Sequence, residues 1–143
     1  MPAFGPTSRA RLATCHPDLQ VIFNEVIKVV DCTVICGHRN QEDQAAAFAA
    51  DLSQVQWPNS KHNSKPSMAA DVGPYTAQIG NIEWEDLKAC CVFKGMVDMI
   101  ARRLLDEGKI THRLRWGGDW DGDGRTTDQK FNDLPHYELI PVN

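Results

Sequence analysis

Two long segments place their apolar residues at the spacing of an amphipathic helix. In Pro17–Val30 these residues recur at helical intervals, and Pro17 suits the first helical position. The second segment is Asn81–Glu107, which Gly108 ends. Its core stripe consists of Phe93, Val97, Ile100, Ala101 and Leu104. Acidic residues near its start and basic residues near its end suit the helix dipole, and they are Glu83, Glu85, Asp86, Arg102 and Arg103.

Shorter elements lie between and after these helices. Asn40 can cap a short, alanine-rich helix over Gln41–Ala50, and residues 51–67 contain turn formers that predict a long loop. Short runs typical of strands lie at Cys32–Cys36, Met68–Val72, Arg113–Trp116 and Tyr137–Pro141. Because the elements do not alternate as β-α-β units, we expect an α+β fold. A small, mostly antiparallel sheet would pack with two long helices and one short helix.

Composition limits the classes of function. The chain has 143 residues, of which 42% are hydrophobic, and this suits a single globular domain over residues 1–143. Its net charge of −4 argues against a nucleic-acid partner, because phosphate binding needs a basic face. No apolar run approaches the roughly 20 residues that cross a bilayer, so we expect no membrane insertion. The first residues lack the pattern of a signal peptide, so we expect the protein to begin in a cytoplasm.

The five cysteines do not resemble a disulfide framework. Their number is odd, and Cys90 and Cys91 are adjacent in a predicted helix. Cys32 and Cys36 lack the second pair of ligands that a structural zinc site needs. We therefore expect reduced and mostly buried thiols.

Residue types that bind metals occur in three separate segments. His62, Asp71 and His136 could fill three corners of a zinc tetrahedron and leave the fourth for water, which is the catalytic pattern. Asp133 could then accept a proton from that water, provided that a bend near Pro135 turns both Asp133 and His136 into one cleft. The alternative is that these side chains are simply solvated, as Asp and His in loops usually are.

The order of short motifs resembles a known zinc peptidase family. The motifs are Ser60-Lys-His-Asn63, Ala69-Ala-Asp71, Trp116-Gly-Gly-Asp-Trp120 and Asp133-Leu-Pro-His-Tyr-Glu-Leu139, together with a Gly37-His-Arg39 turn followed by Gln44. The family joins D-alanyl-D-alanine carboxypeptidases to phage L-alanyl-D-glutamate endopeptidases. The resemblance extends from about Ser8 to Leu139.

The resemblance implies a role for each matching residue. His62, Asp71 and His136 would bind zinc at the edge of the sheet, and Asp133 would be the general base. Arg39 would lie in the cleft, where it could pair with a substrate carboxylate or polarise the scissile carbonyl. Candidates for substrate binding are Ser60, Gln44, Trp116 and His38. One departure is the interval of nine positions from His62 to Asp71, which is longer than is usual in the family.

Asp at position 133 is similar to the phage branch, since the carboxypeptidase branch usually has Glu there. The resemblance therefore implies an endolysin that cuts the L-alanyl-D-glutamate bond of bacterial peptidoglycan with zinc-activated water. It would act as a monomer without a separate wall-binding domain. It would wait in the host cytoplasm until the membrane is permeabilised. The alternatives are a D-alanyl-D-alanine carboxypeptidase, a zinc-binding module without catalysis, and a calcium-dependent wall-binding domain.

An acidic segment raises a second question about metal binding. Asp119 to Asp133 carries −3 of the net charge of −4. Asp119, Asp121, Asp123 and Gly124 match the opening of a calcium loop, but Lys130 stands where a bidentate Glu is expected. A calcium site and a set of solvated Asp-Gly turns both remain open at this point.

Overall fold

A computed structural model of the protein describes residues 2–76, 80–82 and 86–142. The helices are α1 (Pro6–Leu12), α2 (Pro17–Val26), α3 (Gln41–Ala49) and α4 (Leu87–Asp106), with a 3-10 helix at Lys61–Asn63. The strands are β1 (Cys32–Cys36), β2 (Ala69–Thr76), β3 (Asn81–Ile82), β4 (Arg113–Gly117) and β5 (Asp133–Ile140).

Four strands form an antiparallel sheet in the order β1-β2-β5-β4, and the short β3 pairs with the end of β2. This arrangement confirms the predicted α+β class. In its register Asp71 lies opposite Cys36 on one side and opposite His136 on the other. The next row contains Glu138 and Arg115 as cross-strand partners. One face of the sheet is therefore polar along its two inner strands.

The opposite face of the sheet carries the hydrophobic core. α2 and α4 pack there, and the rings of Phe23 and Phe93 contact the ring of Tyr137 edge to face, at centroid distances of 5.6 and 6.2 Å. Most of the apolar residues predicted for the two helices are buried, as are Val34, Val72 and Leu139 of the sheet. Alternation along each strand thus separates a core face from a polar face.

Some predicted boundaries were wrong. α2 ends at Val26 rather than Val30, although Ile27 remains buried beyond its end. Asn81 and Ile82 form β3, so the second long helix begins only at Leu87. Glu83 and Glu85, which were expected in its first turn, lie outside the described residues. α1 was missed because its seven residues are too few to show a period.

No described helix is long and apolar enough to span a membrane.

A buried carboxylate joins the start of α2 to the segment before β4. Asp18 Oδ2 accepts hydrogen bonds from the Thr111 amide and hydroxyl, at 2.9 and 3.2 Å, and lies 2.8 Å from His112 Nδ1. Burial by itself would raise the pKa of Asp18, but these hydrogen bonds outweigh burial and lower it. His16 caps α2 by accepting a hydrogen bond from the Asp18 amide. The Asp18 side chain therefore stabilises a contact between distant parts of the chain.

Replacing Asp18 should destabilise the fold. Asp18→Ala leaves the Thr111 amide without its acceptor, which we expect to cost about 1–3 kcal/mol of unfolding free energy in urea denaturation at neutral pH. Because the pKa of Asp18 is lowered in the folded state, this difference should be fully present above the ordinary carboxyl pKa. It should disappear as the pH falls through the lowered value. Asp43→Ala is the control, since Asp43 is an exposed residue in the first turn of α3. Equal effects of the two substitutions would contradict the assignment.

Candidate active site

Three potential metal-binding atoms converge on the polar face of the sheet. His62 Nε2 lies 3.1 Å from Asp71 Oδ1 and 3.2 Å from His136 Nδ1, and His136 Nδ1 lies 3.3 Å from Asp71 Oδ1. Cross-strand pairing of β2 with β5 places Asp71 beside His136. The sequence had predicted a site at the edge of the sheet. Because β2 and β5 are its inner strands, the group lies instead on the face of the sheet.

Local hydrogen bonds bring His62 to this position. Ser60 caps the 3-10 helix by accepting from the His62 amide, and Asn63 completes the capping box. The chain then continues through a loop and enters β2, where the Met68 amide donates to the carbonyl of Lys61. The long interval between His62 and Asp71 is absorbed by this loop, and the two side chains still meet.

The second nitrogen of each imidazole faces a fixed acceptor. His62 Nδ1 lies 2.7 Å from the carbonyl oxygen of Gly37, and His136 Nε2 lies 2.8 Å from Glu138 Oε1. A carbonyl oxygen and a carboxylate can only accept, so each of these nitrogens carries the proton. His62 Nε2 and His136 Nδ1 are therefore the nitrogens that face one another and Asp71, and each can offer a lone pair to a metal ion that displaces its second proton. Such outer partners are typical of histidines that bind metals.

The spacing of the three donors fits zinc. In a tetrahedral site with zinc–ligand distances of about 2.0–2.1 Å, neighbouring ligand atoms lie about 3.3–3.4 Å apart. The three observed distances, from 3.1 to 3.3 Å, are close to that edge length. Cys36 lies beside His62 and Asp71 and offers a further potential ligand atom. Two imidazoles and one carboxylate thus form a suitable zinc-binding set.

The electrostatics of the group favour a cation. Burial alone would lower the pKa of His62, but the charge and hydrogen bond of Asp71 outweigh burial and raise it to about 10. Burial alone would raise the pKa of Asp71, yet His62 and His136 hold it well below its usual range. The site therefore stabilises positive charge among its donors.

Asp133 lies next to these donors and was predicted to be the base. The pairing of β4 with β5 is irregular here. Trp116 and Gly117 are adjacent in β4, but their partners in β5, Tyr137 and Asp133, are four positions apart. This irregularity is the bend that the sequence suggested, and it leaves Asp133 Oδ2 at 3.9 Å from His136 Nδ1. Burial raises the pKa of Asp133 to about 6, and the charge of Asp71 adds to that effect. A carboxylate with a pKa near neutrality suits general base catalysis.

Arg39 enters the site from the turn after β1. Its Nη2 lies 3.5 Å from Asp71 Oδ2, and its Nη1 donates to Gln44 Oε1 at 2.9 Å. Gln44 was expected to bind substrate, but its side chain is 0% exposed and does not line the cleft. It accepts a hydrogen bond from Asn63 and donates to Ser53 Oγ and the Val55 carbonyl. Gln44 therefore supports Arg39 and the loop after α3.

A cleft of about 420 Å³ opens above the site. Its lining includes residues 52–55, Asn59 and Ser60. It also includes Trp120 and Phe131, whose rings stack at a centroid distance of 6.3 Å. Ser60, a predicted substrate residue, does line this cleft. His38 and Trp116 do not. His38 Nδ1 lies 2.9 Å from the Ser64 carbonyl, and Trp116 is a core residue that is 5% exposed.

Comparison with known proteins defines the family. The sequence model of a family described as phage L-alanyl-D-glutamate peptidase matches residues 2–140. The chain belongs to this family. It is therefore a peptidase. No curated protein sequence matches it significantly.

Two solved structures are similar to this peptidase. The L-Ala D-Glu endopeptidase ChiX of Serratia marcescens superposes with a TM-score of 0.65 and 25% identity, covering 96% of this chain and 89% of that one. The vancomycin-resistance D,D-dipeptidase VanXYg, in complex with a D-Ala-D-Ala phosphinate analogue, gives a TM-score of 0.47 and 18% identity. That match covers 87% of this chain and 48% of the other. The first match supports the α+β fold of the peptidase over nearly its whole length.

Several cleft residues of the peptidase were not predicted. Lys61, Arg115 and Phe131 line the cleft beside the donors. Lys61 could have been noticed, since it stands between Ser60 and His62 in the motif. Arg115 reaches the cleft only through the pairing of β4 with β5, and Phe131 only through the path of the acidic segment. No local sequence pattern indicates that Arg115 or Phe131 reaches the cleft.

The proposed calcium residues form a set of turns in this structure. Ligand atoms of Asp119, Asp121 and Asp123 lie within 4.8 Å of one another. Asp119 accepts from the amides of Asp123 and Gly124, at 3.2 and 2.8 Å, and Asp123 accepts from the Arg125 amide at 2.8 Å. Aspartate side chains make these bonds in ordinary Asx turns without a metal. Calcium binding therefore stays a prediction.

The partner of His136 should influence metal affinity. Glu138→Ala removes the carboxylate that orients the imidazole, and we expect it to weaken zinc binding by about 10- to 100-fold. Competition with a chromogenic chelator measures this change. Glu107→Ala, at the far end of α4, is the control and should leave the affinity unchanged. An unchanged zinc affinity in Glu138→Ala would show that Glu138 does not orient His136.

A side chain at position 117 should displace the base. A Cβ atom on Gly117 would overlap the carbonyl oxygen of Asp133, so Gly117→Ala must shift that residue. We expect kcat to fall by as much as about 100-fold while zinc stoichiometry is retained. Gly95→Ala is the control, because a Cβ at that helical position would have no neighbour within 4 Å. Loss of zinc together with activity would instead indicate general disruption of the site.

Proposed function

We propose that this peptidase is a zinc endopeptidase that hydrolyses the L-alanyl-D-glutamate bond of bacterial peptidoglycan. The observation that carries the proposal is the triangle of donors at His62, Asp71 and His136 with Asp133 beside it. Membership of the phage L-alanyl-D-glutamate peptidase family supports this choice of bond. Residues 2–140 match one family model, which supports the expectation of one catalytic domain.

Each polar group of the site has a chemical task in this proposal. Zinc held by His62, Asp71 and His136 would supply a Lewis acid that makes water nucleophilic near neutral pH. Asp133 takes the proton from the attacking water at Oδ2 and delivers it to the leaving amine. Asp133 Oδ2 lies 3.9 Å from His136 Nδ1, which places the carboxylate beside the donors for both proton transfers.

Arg39 provides positive charge at the floor of the cleft. Its side chain is 14% exposed, and Nη2 of its guanidinium lies 3.5 Å from Asp71 Oδ2, where the two form an ion pair. The same guanidinium lines the cleft and can stabilise negative charge that develops on the scissile carbonyl oxygen. Because Gln44 and Asp71 hold it from two sides, Arg39 is already oriented before substrate binds.

Two alternatives predict different products. A D-alanyl-D-alanine carboxypeptidase would release terminal D-Ala, and a zinc-binding module without catalysis would release nothing. The position of Asp133 beside the donors favours a hydrolase over a module without catalysis. A monomeric state and a route through the host cytoplasm to the wall after membrane permeabilisation stay predictions.

Removing the base should separate metal binding from hydrolysis. Asp133→Ala should retain zinc at one equivalent, while its rate of muropeptide cleavage falls by at least about 100-fold. His136→Ala should lose both zinc and activity. Asp128→Ala, an exposed aspartate of the same acidic segment, is the matched control and should remain active. The measurements are zinc content by atomic emission and mass analysis of digested peptidoglycan.

Each outcome of this experiment has a clear interpretation. New L-Ala carboxyl ends in the wild-type digest support the proposed endopeptidase, whereas free D-Ala supports the carboxypeptidase. Full activity of Asp133→Ala would overturn the role of Asp133 as base. Zinc binding without any product would favour the module without catalysis.

A further inference from the structure

Two cations lie at one end of the catalytic cleft and share a single carboxylate. Arg115 donates to Glu138 Oε2 through Nη2 at 2.6 Å and through Nε at 3.2 Å. Lys61 Nζ lies 4.0 Å from the same oxygen. All three residues line the cleft, and the side chains of Lys61 and Arg115 are both 40% exposed. The cluster therefore carries one net positive charge that faces the cleft.

Glu138 pairs more closely with Arg115, at 2.6 Å, than with Lys61, whose ion pair with the same oxygen is 4.0 Å long. Its Oε1 is engaged by His136 Nε2 at 2.8 Å, and its Oε2 is engaged by both donors of Arg115. Arg115 is thus the closer partner of Glu138, and the cluster keeps one net positive charge.

The ammonium group of Lys61 has donors left for a ligand. It donates one hydrogen bond, to the Leu139 carbonyl at 3.1 Å, and this contact fixes its position at the cleft. An ammonium group has three N–H donors, so the described contacts leave two for a ligand. Lys61 also precedes His62 directly, which places it beside the zinc-binding donors.

Arg39, the third cation of the cleft, is less accessible to a substrate carboxylate than Lys61. Arg39 is only 14% exposed, and its guanidinium is bound to both Asp71 and Gln44. A substrate carboxylate that approached Arg39 would also meet the carboxylates of Asp71 and Asp133. Among the cleft residues that the structure describes, Lys61 is thus the exposed cation whose carboxylate partner is the most distant, at 4.0 Å compared with 2.6 Å for Arg115 and 3.5 Å for Arg39.

We propose that Lys61 binds a free carboxylate of the substrate and so makes the enzyme prefer acidic stem peptides over their amides. This inference rests on the proposed function, because the peptide to the D-glutamate side of the scissile bond carries such groups. The carboxylate could be the one on D-Glu that does not form a peptide bond, or the one at the end of the peptide. A charged hydrogen bond at a partly exposed site is worth roughly a fivefold change in binding.

Three synthetic peptides and three variants test the proposal. The parent peptide contains L-Ala joined to D-Glu and then L-Lys, with both carboxylates free. The second peptide is amidated at D-Glu, and the third is amidated at its C-terminus. Each is cleaved by the zinc-loaded wild type, Lys61→Gln, Lys61→Arg and Lys65→Gln. Lys65→Gln removes the same charge from an exposed position four residues away and outside the cleft lining.

We expect one of the two amides to raise KM for the wild type by about fivefold with little change in kcat. In Lys61→Gln this preference for the acid should be lost, because KM for the acid rises to the value for the amide. Lys61→Arg should restore the preference, and Lys65→Gln should retain it. Dissociation constants measured by calorimetry in the inactive Asp133→Ala background should follow the same pattern. The amide that matters identifies which carboxylate binds.

The proposal is overturned if neither amide raises KM in the wild type, or if Lys61→Gln keeps the full preference for the acid. Both results would leave the proposed function intact, since the wild type still cleaves the parent peptide. Failure of the wild type to cleave any of the three peptides would refute the proposed function, and the inference with it. Thermal unfolding of Lys61→Gln checks that loss of the Leu139 contact does not unfold the protein.

Discussion

The cross-strand pair formed by Asp71 and His136 is the contact on which the active site depends. Antiparallel pairing of β2 with β5 places these residues side by side on the inner strands, and His62 closes the group from above. Because side chains alternate between the two faces of a strand, a shift of one residue would turn Asp71 or His136 into the core. The core residues on the opposite face, among them Val72 and Tyr137, therefore help to define the register that the chemistry requires.

Burying these polar groups has a free-energy cost, and the surrounding contacts offset it. The Gly37 carbonyl and Glu138 each accept from an imidazole, and Arg39 pairs with Asp71. The same contacts decide which nitrogen of each histidine faces Asp71 and could bind a metal ion. Stability and function are thus linked, since removing an outer partner would both expose an unpaired buried group and disorient a ligand.

Charge is distributed unevenly around the cleft. The acidic segment contributes Asp133 and the aromatic wall of Trp120 and Phe131, whereas Lys61 and Arg115 lie together and share Glu138. In the proposed function Lys61 meets an anionic part of the substrate, and Asp133 transfers the proton. Most of the net negative charge of the chain lies in the acidic segment, which ends at Asp133 beside the donor group.

The sequence by itself determined the two long helices, most of the strands and the residues that form the donor group. Helical periodicity and strand alternation are local patterns. His62, Asp71, Asp133 and His136 were grouped by the resemblance of their short motifs to a peptidase family. These features depend on neighbours in the chain, so they could be recognised without a structure. The sequence did not predict α1 or β3, because these elements are too short to show a periodic pattern.

Only the tertiary structure decided how the remaining polar residues are used. Gln44 and Trp116 resembled substrate residues, but packing buries both of them, and Arg115 reaches the cleft through a strand register that no local pattern encodes. Burial and cross-strand neighbours result from contacts between residues far apart in the chain. For the same reason, the sequence could name the histidines that meet at the site, while the fold alone selected which ring nitrogen of each faces Asp71.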